Sequence, residues 1–413
     1  MSDEGKWLTD KYWVTEFNYF DEIRKEFTLP ERVYIHDVTL RESEQTPHVV
    51  MKPDEKLAVY EALDEMGVYS VELMPIISSD DTEVARELVR MRKEGRKAKI
   101  VFLCRWDERE VDFAAENGAD GVVVECPGAP WFGEIVWGLD EQGMIDKLVK
   151  AAGHAKKNGL YTSVMPWEAT KAPIRFLERL YKAVANEAGV DQITYTDTMG
   201  FGLPWTTAFM VRKVREWVPS VTVGVHAHND YGLATSVMLS AIAGGASTVH
   251  TAINTLGERA GNASTEEVAV DTELLLGVDT GIRLGKIYDV TRLVSEITKI
   301  PIPFNKPVSG DNEFTVESGM VADMNLRMMK TDRPFTTLPF SPELIGRGPL
   351  NIVLGKMSGR TVIKDKLDKM GIEASKEQLK EIMERVKRQA IVRKWSLPDP
   401  VFAKIVRDVM GGK

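Results

Sequence analysis

Cysteine is nearly absent: Cys104 and Cys126 are the only two, too few and too poorly spaced for a disulfide framework or a thiolate zinc site. That scarcity fits a reducing compartment. Long apolar runs are missing as well. No stretch approaches the length of a membrane span, and the opening residues Met1–Lys6 lack the apolar centre of a secretory signal. Nor is there a lysine or arginine block able to track a phosphate backbone. With 53 basic against 62 acidic residues the formal net charge is −9, which argues against nucleic acid as a partner. The expectation is a cytoplasmic protein that handles small molecules, with neither membrane nor nucleic-acid partners. Histidine is scarce too, at six residues, so its placement is informative.

What the chain does have is a regular alternation. Short β-branched or apolar runs occur at 33–40, 68–74, 99–104, 121–125, 161–165, 192–196, 222–226 and 247–253. Between several of them lie segments of helical period, at 55–66, 81–94, 144–158, 174–188 and 203–218. Eight such units in roughly 270 residues predict a closed (β/α)8 TIM barrel. The rival, a doubly wound sheet, lacks a G-x-G-x-x-G after the first strand. Residues 1–30 form an N-terminal arm rich in aromatics, expected to pack on the barrel base or on another subunit. The barrel spans 31–300. A proline-rich break at 301–307 opens a C-terminal, mainly helical appendage over 301–413, read as a lid and dimerisation subdomain.

Polar residues gather at the strand ends. His226-Ala-His228-Asn-Asp230 closes the seventh run, and residues two apart on a strand face the same way. The two imidazoles therefore stand side by side, as two ligands of one ion would. Asp37 ends the first run, so a carboxylate and two imidazoles can converge on a divalent metal with positions left open. Oxygen and nitrogen ligands without thiolate suit zinc, manganese, magnesium or iron alike. Arg41 follows, and its charged fork suits an oxygen that becomes negative during reaction. Glu72, Arg105 and Thr198 lie at the ends of other strands, which in a barrel open on the same face.

Three segments together, Asp37-Val-Thr-Leu-Arg41-Glu42-Ser-Glu-Gln45, His226–Asp230 and Gly257-Glu-Arg-Ala-Gly-Asn262, resemble the DRE-TIM metallolyase superfamily. Within it the chain is most similar to the 2-isopropylmalate, homocitrate and citramalate synthases, over about residues 31–360, including Val353–Arg360 in the appendage. The resemblance implies a divalent metal (Zn, Mn or Mg) held by Asp37, His226 and His228, with Asn262 as a further ligand. It implies catalytic roles for Arg41 and Glu42, and substrate contacts from Gln45, Glu72, Arg105 and Thr198, the last holding the 2-oxo acid carboxylate. The implied reaction is a Claisen-type condensation of an acyl-CoA with a 2-oxo acid, in a homodimer. The lyase branch carries a cysteine in the glycine loop after the eighth strand; Gly257–Asn262 has none.

Departures keep a second reading open. The synthases are similar in carrying a histidine in an "SGIH" segment of the appendage, where this chain reads Glu317-Ser-Gly-Met-Val-Ala-Asp323. No histidine follows His250 and no tyrosine follows Tyr288. Asp311, Glu317 and Asp323 remain as carboxylates that could act as a base. The family's "S-P-E-D" reads Met165-Pro-Trp-Glu168, which brings bulky groups to the acceptor side, and Ser43 stands where relatives carry glycine. Feedback control through a regulatory domain like that of leucine-inhibited isopropylmalate synthases is not expected. The alternative is therefore a metal-dependent retro-aldol or retro-Claisen lyase, or a decarboxylase, acting on a 2-hydroxy or 2-oxo acid. A non-enzymatic ligand-binding paralogue is a third reading, opposed by the intact metal set.

Overall fold

A computed structural model describes residues 5–411. Residues 15–302 form one compact unit; residues 303–411, grouped with 5–14, form a second.

The first unit is a closed barrel of eight parallel strands in sequence order. They are β1 (Tyr34–Asp37), β2 (Ser70–Leu73), β3 (Lys99–Arg105), β4 (Gly121–Pro127), β5 (Tyr161–Trp167), β6 (Gln192–Asp197), β7 (Thr222–Ala227) and β8 (Thr248–Thr251). Closure comes from β8 pairing with β1, with Tyr34 opposite Thr248 and Asp37 opposite Thr251. One alternate set of side chains packs outward under the helices: Ile35, Val71, Ile100, Val122, Val164, Ile193, Val225 and Val249 are all fully buried. Burying each is worth roughly 1.5–3 kcal/mol, and this apolar layer is why the strands sit still between barrel and helices.

The helices begin and end where local chemistry dictates. α1 (Pro53–Met66) starts with proline at its first position, and Glu55 reaches back to accept from Lys52 N–H at 2.8 Å. It stops at Gly67, whose φ of 98° is a left-handed cap. α2 (Glu141–Lys157) is capped by Asp140, which accepts from Gly143 N–H at 2.8 Å. A third helix, α3 (Thr265–Asp271), follows β8 and is capped by Ser264.

The inward set divides into two sectors. Val101, Leu103, Val123 and Met165 on β3–β5 form an apolar cluster with Met74 packed against it. On β1, β2, β7 and β8 the buried inward residues include His36, Ser70, Glu72, His226, Thr248 and His250.

In the second unit, a two-stranded parallel pair, β9 (Thr315–Val316) and β10 (Asn351–Ile352), accompanies the expected helices. Its core includes Val362, Ile363, Ile382, Val386, Phe402 and Val406. The aromatic arm divides between the units. Tyr19 donates its hydroxyl to Leu274 O in the barrel unit at 2.8 Å. Residues 5–14 belong with the appendage: Ser341 N–H donates to Lys11 O at 2.6 Å, and the Arg333 guanidinium lies 5.6 Å from the Trp13 ring centre. Tyr19 is buried, whereas Trp13, Phe17 and Phe20 remain exposed.

Candidate active site

After Asp37 the strand breaks and the chain turns through one helical turn, Thr39–Glu42, fully buried. That turn, rather than strand alternation, aims Arg41 and Glu42. Arg41 Nε donates to Glu72 Oε1, and Nη1 donates to Glu42 Oε1 at 2.6 Å. Its Nη2 is buried without a hydrogen-bond partner. Burial alone would lower the Arg41 pKa, but Glu42 and Glu72 outweigh it and the guanidinium stays firmly charged.

Glu72 is fully buried with both oxygens engaged, Oε1 by Arg41 and Oε2 by His36 Nε2 at 3.1 Å. Burial pushes its pKa up, yet Arg41 and His36 pull it below the ordinary carboxylate range. Glu72, expected at the substrate, also fixes the fork of Arg41. His36 Nδ1 lies 2.7 Å from Ser70 Oγ, and the His36 ring stands 4.3 Å from that of His250. His250 is fully buried, neither ring nitrogen has a partner, and burial pushes its pKa well down.

The Nε2 atoms of His226 and His228 lie 3.3 Å apart, and Glu42 Oε1 is 3.7 Å from His226 Nε2. Burial lowers both histidine pKa values, which keeps the rings neutral and able to donate lone pairs. Their Nδ1 atoms are buried without partners. Among the described residues, two groups could hold a metal ion: Glu42 with His226 and His228, and His36 with Glu72 and His250. Asp37 is in neither. Because His36 faces the interior, alternation turns Asp37 to the other side, where Oδ1 accepts from Thr39 N–H at 2.9 Å and Oδ2 from Thr265 Oγ1 of α3 at 2.8 Å. Burial raises its pKa to about 6. In this arrangement Asp37, expected as a ligand with His226 and His228, is held by Thr39 and Thr265, and the carboxylate beside the two histidines is that of Glu42.

Asn262 pairs with His228 as an isolated bridge. Its Nδ2 donates to Leu256 O at 3.2 Å, and its Oδ1 is buried and unpartnered. The glycines of that loop have steric reasons. A Cβ at Gly257 (φ 147°) would strike the Asn262 amide, and one at Gly261 (φ 82°) the Thr255 carbonyl. With its amide oriented to suit its neighbours, Gln45 accepts from Arg41 Nη1 at 3.0 Å and donates to Glu42 Oε2 at 3.3 Å. Thr198 Oγ1 accepts from Glu168 N–H at 2.8 Å, and Thr198 O accepts from Arg259 Nη2. Arg259 also grips Asp230, with Nε 2.9 Å from Oδ1, while Asn229 N–H donates to Gly261 O at 2.8 Å. The loop after β1 joins this belt through Thr46 Oγ1, which donates to Gly257 O at 2.9 Å and accepts from Gly257 N–H at 3.1 Å. His48, two residues on, holds φ at 75° in an exposed turn.

Arg105 sits apart from this cluster, at the edge of a cleft of about 670 Å³ beyond the ends of β3–β5. Its guanidinium is held by Glu110. Sequence reasoning missed Glu125, which continues the inward set of β4; the phase of Gly121 and Val123 was the available signal. Burial raises Glu125 to about 6, with Arg41 pulling the other way. It also missed the His36–His250 pair, legible only once β1 and β8 are neighbours. In the appendage, Asp323 pairs with Arg327 at 3.0 Å, Glu317 Oε1 accepts from Met357 N–H at 2.9 Å, and Asp311 pairs with Arg347 at 3.5 Å. All three carboxylates serve local structure.

Residues 32–294 match the HMGL-like family and residues 308–394 the homocitrate synthase post-HMGL domain-like family. An (R)-citramalate synthase from Methanocaldococcus jannaschii is 38% identical over 379 residues, spanning 92% of this chain and 75% of the relative. A homocitrate synthase from Methanothermobacter thermautotrophicus is 33% identical over 402 residues, spanning 97% and 99%. A 2-isopropylmalate synthase from M. jannaschii is 34% identical over 388 residues, spanning 93% and 73%. Among solved structures, the HMG-CoA lyase of Bacillus subtilis shares the fold, with a TM-score of 0.57 at 20% identity, covering 67% of this chain and 96% of that one. With the model match covering most of the barrel and relatives matched along nearly its whole length, the chain belongs to the HMGL-like family.

Proposed function

We propose that the chain is an acyltransferase of the 2-isopropylmalate/homocitrate synthase kind, joining an acyl-CoA to a 2-oxo acid with a divalent metal. Relatives named as citramalate, homocitrate and isopropylmalate synthases support the reaction class. The observation that carries the reading is the coupling of Arg41, with its unpartnered Nη2, to the triad of Glu42, His226 and His228 through Glu42.

Residues fit the metal: two neutral imidazoles meet at Nε2, a carboxylate oxygen lies beside them, and Asn262 Oδ1 is buried without a donor. Bound there, a divalent cation would polarise a carbonyl. Arg41 supplies a preorganised donor for the oxygen that gains charge, and Glu72 keeps its fork from rotating. Gln45 buttresses both Arg41 and Glu42. Thr198 uses its hydroxyl oxygen to accept from Glu168 N–H, which leaves its proton to donate to a carboxylate. We assign Asp37 to the framework rather than to the metal.

The test is incubation of metal-loaded protein with a panel of 2-oxo acids and acyl-CoAs, following free thiol and product mass together. Thiol release dependent on the 2-oxo acid, with the mass of the condensation product, is expected. Carbon–carbon cleavage without any CoA ester would overturn the reading in favour of a lyase.

A further inference from the structure

The cleft beyond β3–β5 has a composition that the condensation chemistry does not use. Its walls carry Trp106, Trp137 and Trp167, and Glu125 stands at its inner side. Trp106 and Trp137 meet edge to face, 5.4 Å apart at 88°, and Phe132 backs Trp167 at 4.5 Å. Below lies the apolar sector, since Met74 lines the cleft and also packs on Val101, Leu103, Val123 and Met165.

Charge narrows what the cleft can take. Its rim cations are already neutralised: Arg105 by Glu110, Arg109 by Asp107 at 2.6 Å, and Lys150 by Glu108 at 2.5 Å. Lys147 caps the Trp106 ring at 4.6 Å. Each guanidinium at the rim thus has a carboxylate partner, and an entering phosphate or second carboxylate would also meet the Glu125 carboxyl. Size points the same way. At about 670 Å³ the space is of the order that holds a ring-bearing ligand, far more than a methyl group needs. Aromatic walls in offset and edge-on arrangement favour another ring between them. The cleft also reaches toward the barrel interior, because two of its lining residues, Glu125 on the inward face of β4 and Met74 against the inward apolar cluster, border both.

We propose that this cleft seats the side chain of the acceptor, and that the acceptor is an aryl 2-oxo acid, preferably one whose ring offers a hydroxyl or N–H to Glu125. This rests on the condensation reading for the identity of the acceptor but not for the geometry of the cleft. Trp167 stands in the segment Met165–Glu168 that departs from the family's pattern, and its ring is one of the walls. Glu125 is buried at the inner side of the cleft, and its carboxylate oxygens can accept from a ring hydroxyl or N–H.

Calorimetric titration of the metal-loaded protein, without acyl-CoA, tests this directly. The probes are phenylpyruvate, 4-hydroxyphenylpyruvate, pyruvate and 2-oxoglutarate. Aryl acids are expected to bind at least tenfold more tightly than the other two. Trp137→Ala, at a half-exposed position that tolerates truncation, should cut that preference about tenfold. Glu125→Gln should reduce the advantage of the hydroxylated ring over the plain one. Equal or tighter binding of pyruvate or 2-oxoglutarate overturns the proposal, as does competition between free CoA and the aryl acid for the cleft. A thiol-release assay separates the two readings. Aryl acids that bind selectively but never release thiol from any acyl-CoA sink the condensation and leave the cleft assignment standing. Thiol release with small acids, while aryl acids neither bind nor react, does the reverse.

Discussion

On β3, β4 and β5 the barrel interior carries Val101, Leu103, Val123 and Met165, whereas on β8, β1, β2 and β7 it carries His250, His36, Ser70, Glu72 and His226. The first sector is what a packed barrel needs, since it interdigitates apolar side chains at no polar cost. The second desolvates an ion pair and three imidazoles, and leaves both nitrogens of His250 without partners. Such groups lower stability unless fully paired. What the polar sector offers in return is a rigid seat for Arg41, bonded to Glu42 of the metal-capable triad. One half of the interior thus holds the barrel together, and the other half holds a guanidinium still.

The largest effect should come from the polar side. His228→Ala removes one of two convergent imidazoles, so metal content should fall and turnover should vanish while the circular dichroism of the barrel is retained. Metal analysis showing parent-like binding would break the assignment. Next, Arg41→Lys keeps charge but loses the fork that Glu72 and Glu42 grip. We expect a loss of roughly 2–4 kcal/mol in transition-state stabilisation, as for an oxyanion donor, read from kcat/KM. Unaltered turnover would show that Arg41 serves only the ion-pair network.

The two sectors should then respond oppositely to truncation of their polarity. Leu103→Ala in the apolar half should cost about 2–4 kcal/mol in denaturant unfolding and leave metal affinity intact. His250→Leu in the polar half should be neutral or stabilising by about 1 kcal/mol, because it removes two unpartnered nitrogens. Destabilisation of both by the same amount would erase the distinction.

The smallest effect concerns Asp37. Burial raises its folded pKa to about 6, above the unfolded value of about 4. The folded state therefore holds the proton more tightly, and its contribution to stability is fully present below pH 4 and lost as pH rises to about 6. Asp37→Asn should remove that slope, so its melting temperature relative to the parent should improve between pH 4 and 6 and level off above. Metal content should not change. Loss of metal in this variant would return Asp37 to the ligand set.

The barrel was legible in the sequence because eight runs of strand period are separated by segments of helical period, and because His226 and His228 share a strand face whatever surrounds them. The orientation of Asp37 was not. β1 has only four residues, the last three of them fully buried, so burial gives no alternation from which to tell that His36 faces inward and Asp37 outward. The sequence reading also ran the first strand to Leu40, past the point where Thr39–Glu42 turns into a helix. A strand at that point presents every second residue; one helical turn swings Arg41 and Glu42 together toward the interior. The division of the aromatic arm at residues 14 and 15 was not legible either, because it depends on long-range partners such as Leu274 and Ser341.

The rim loops carry one further consequence. Thr46 is tied to Gly257, Asn229 to Gly261, and Arg259 to both Asp230 and Thr198, whose hydroxyl oxygen accepts from Glu168. These links run in series through the segments after β1, β8, β7, β6 and β5. No one of those segments can fray without breaking a bond to the next. Their amides should therefore exchange with deuterated solvent as a single cooperative unit rather than as five independent loops, and a flexible substitution in any one of them should loosen all the others.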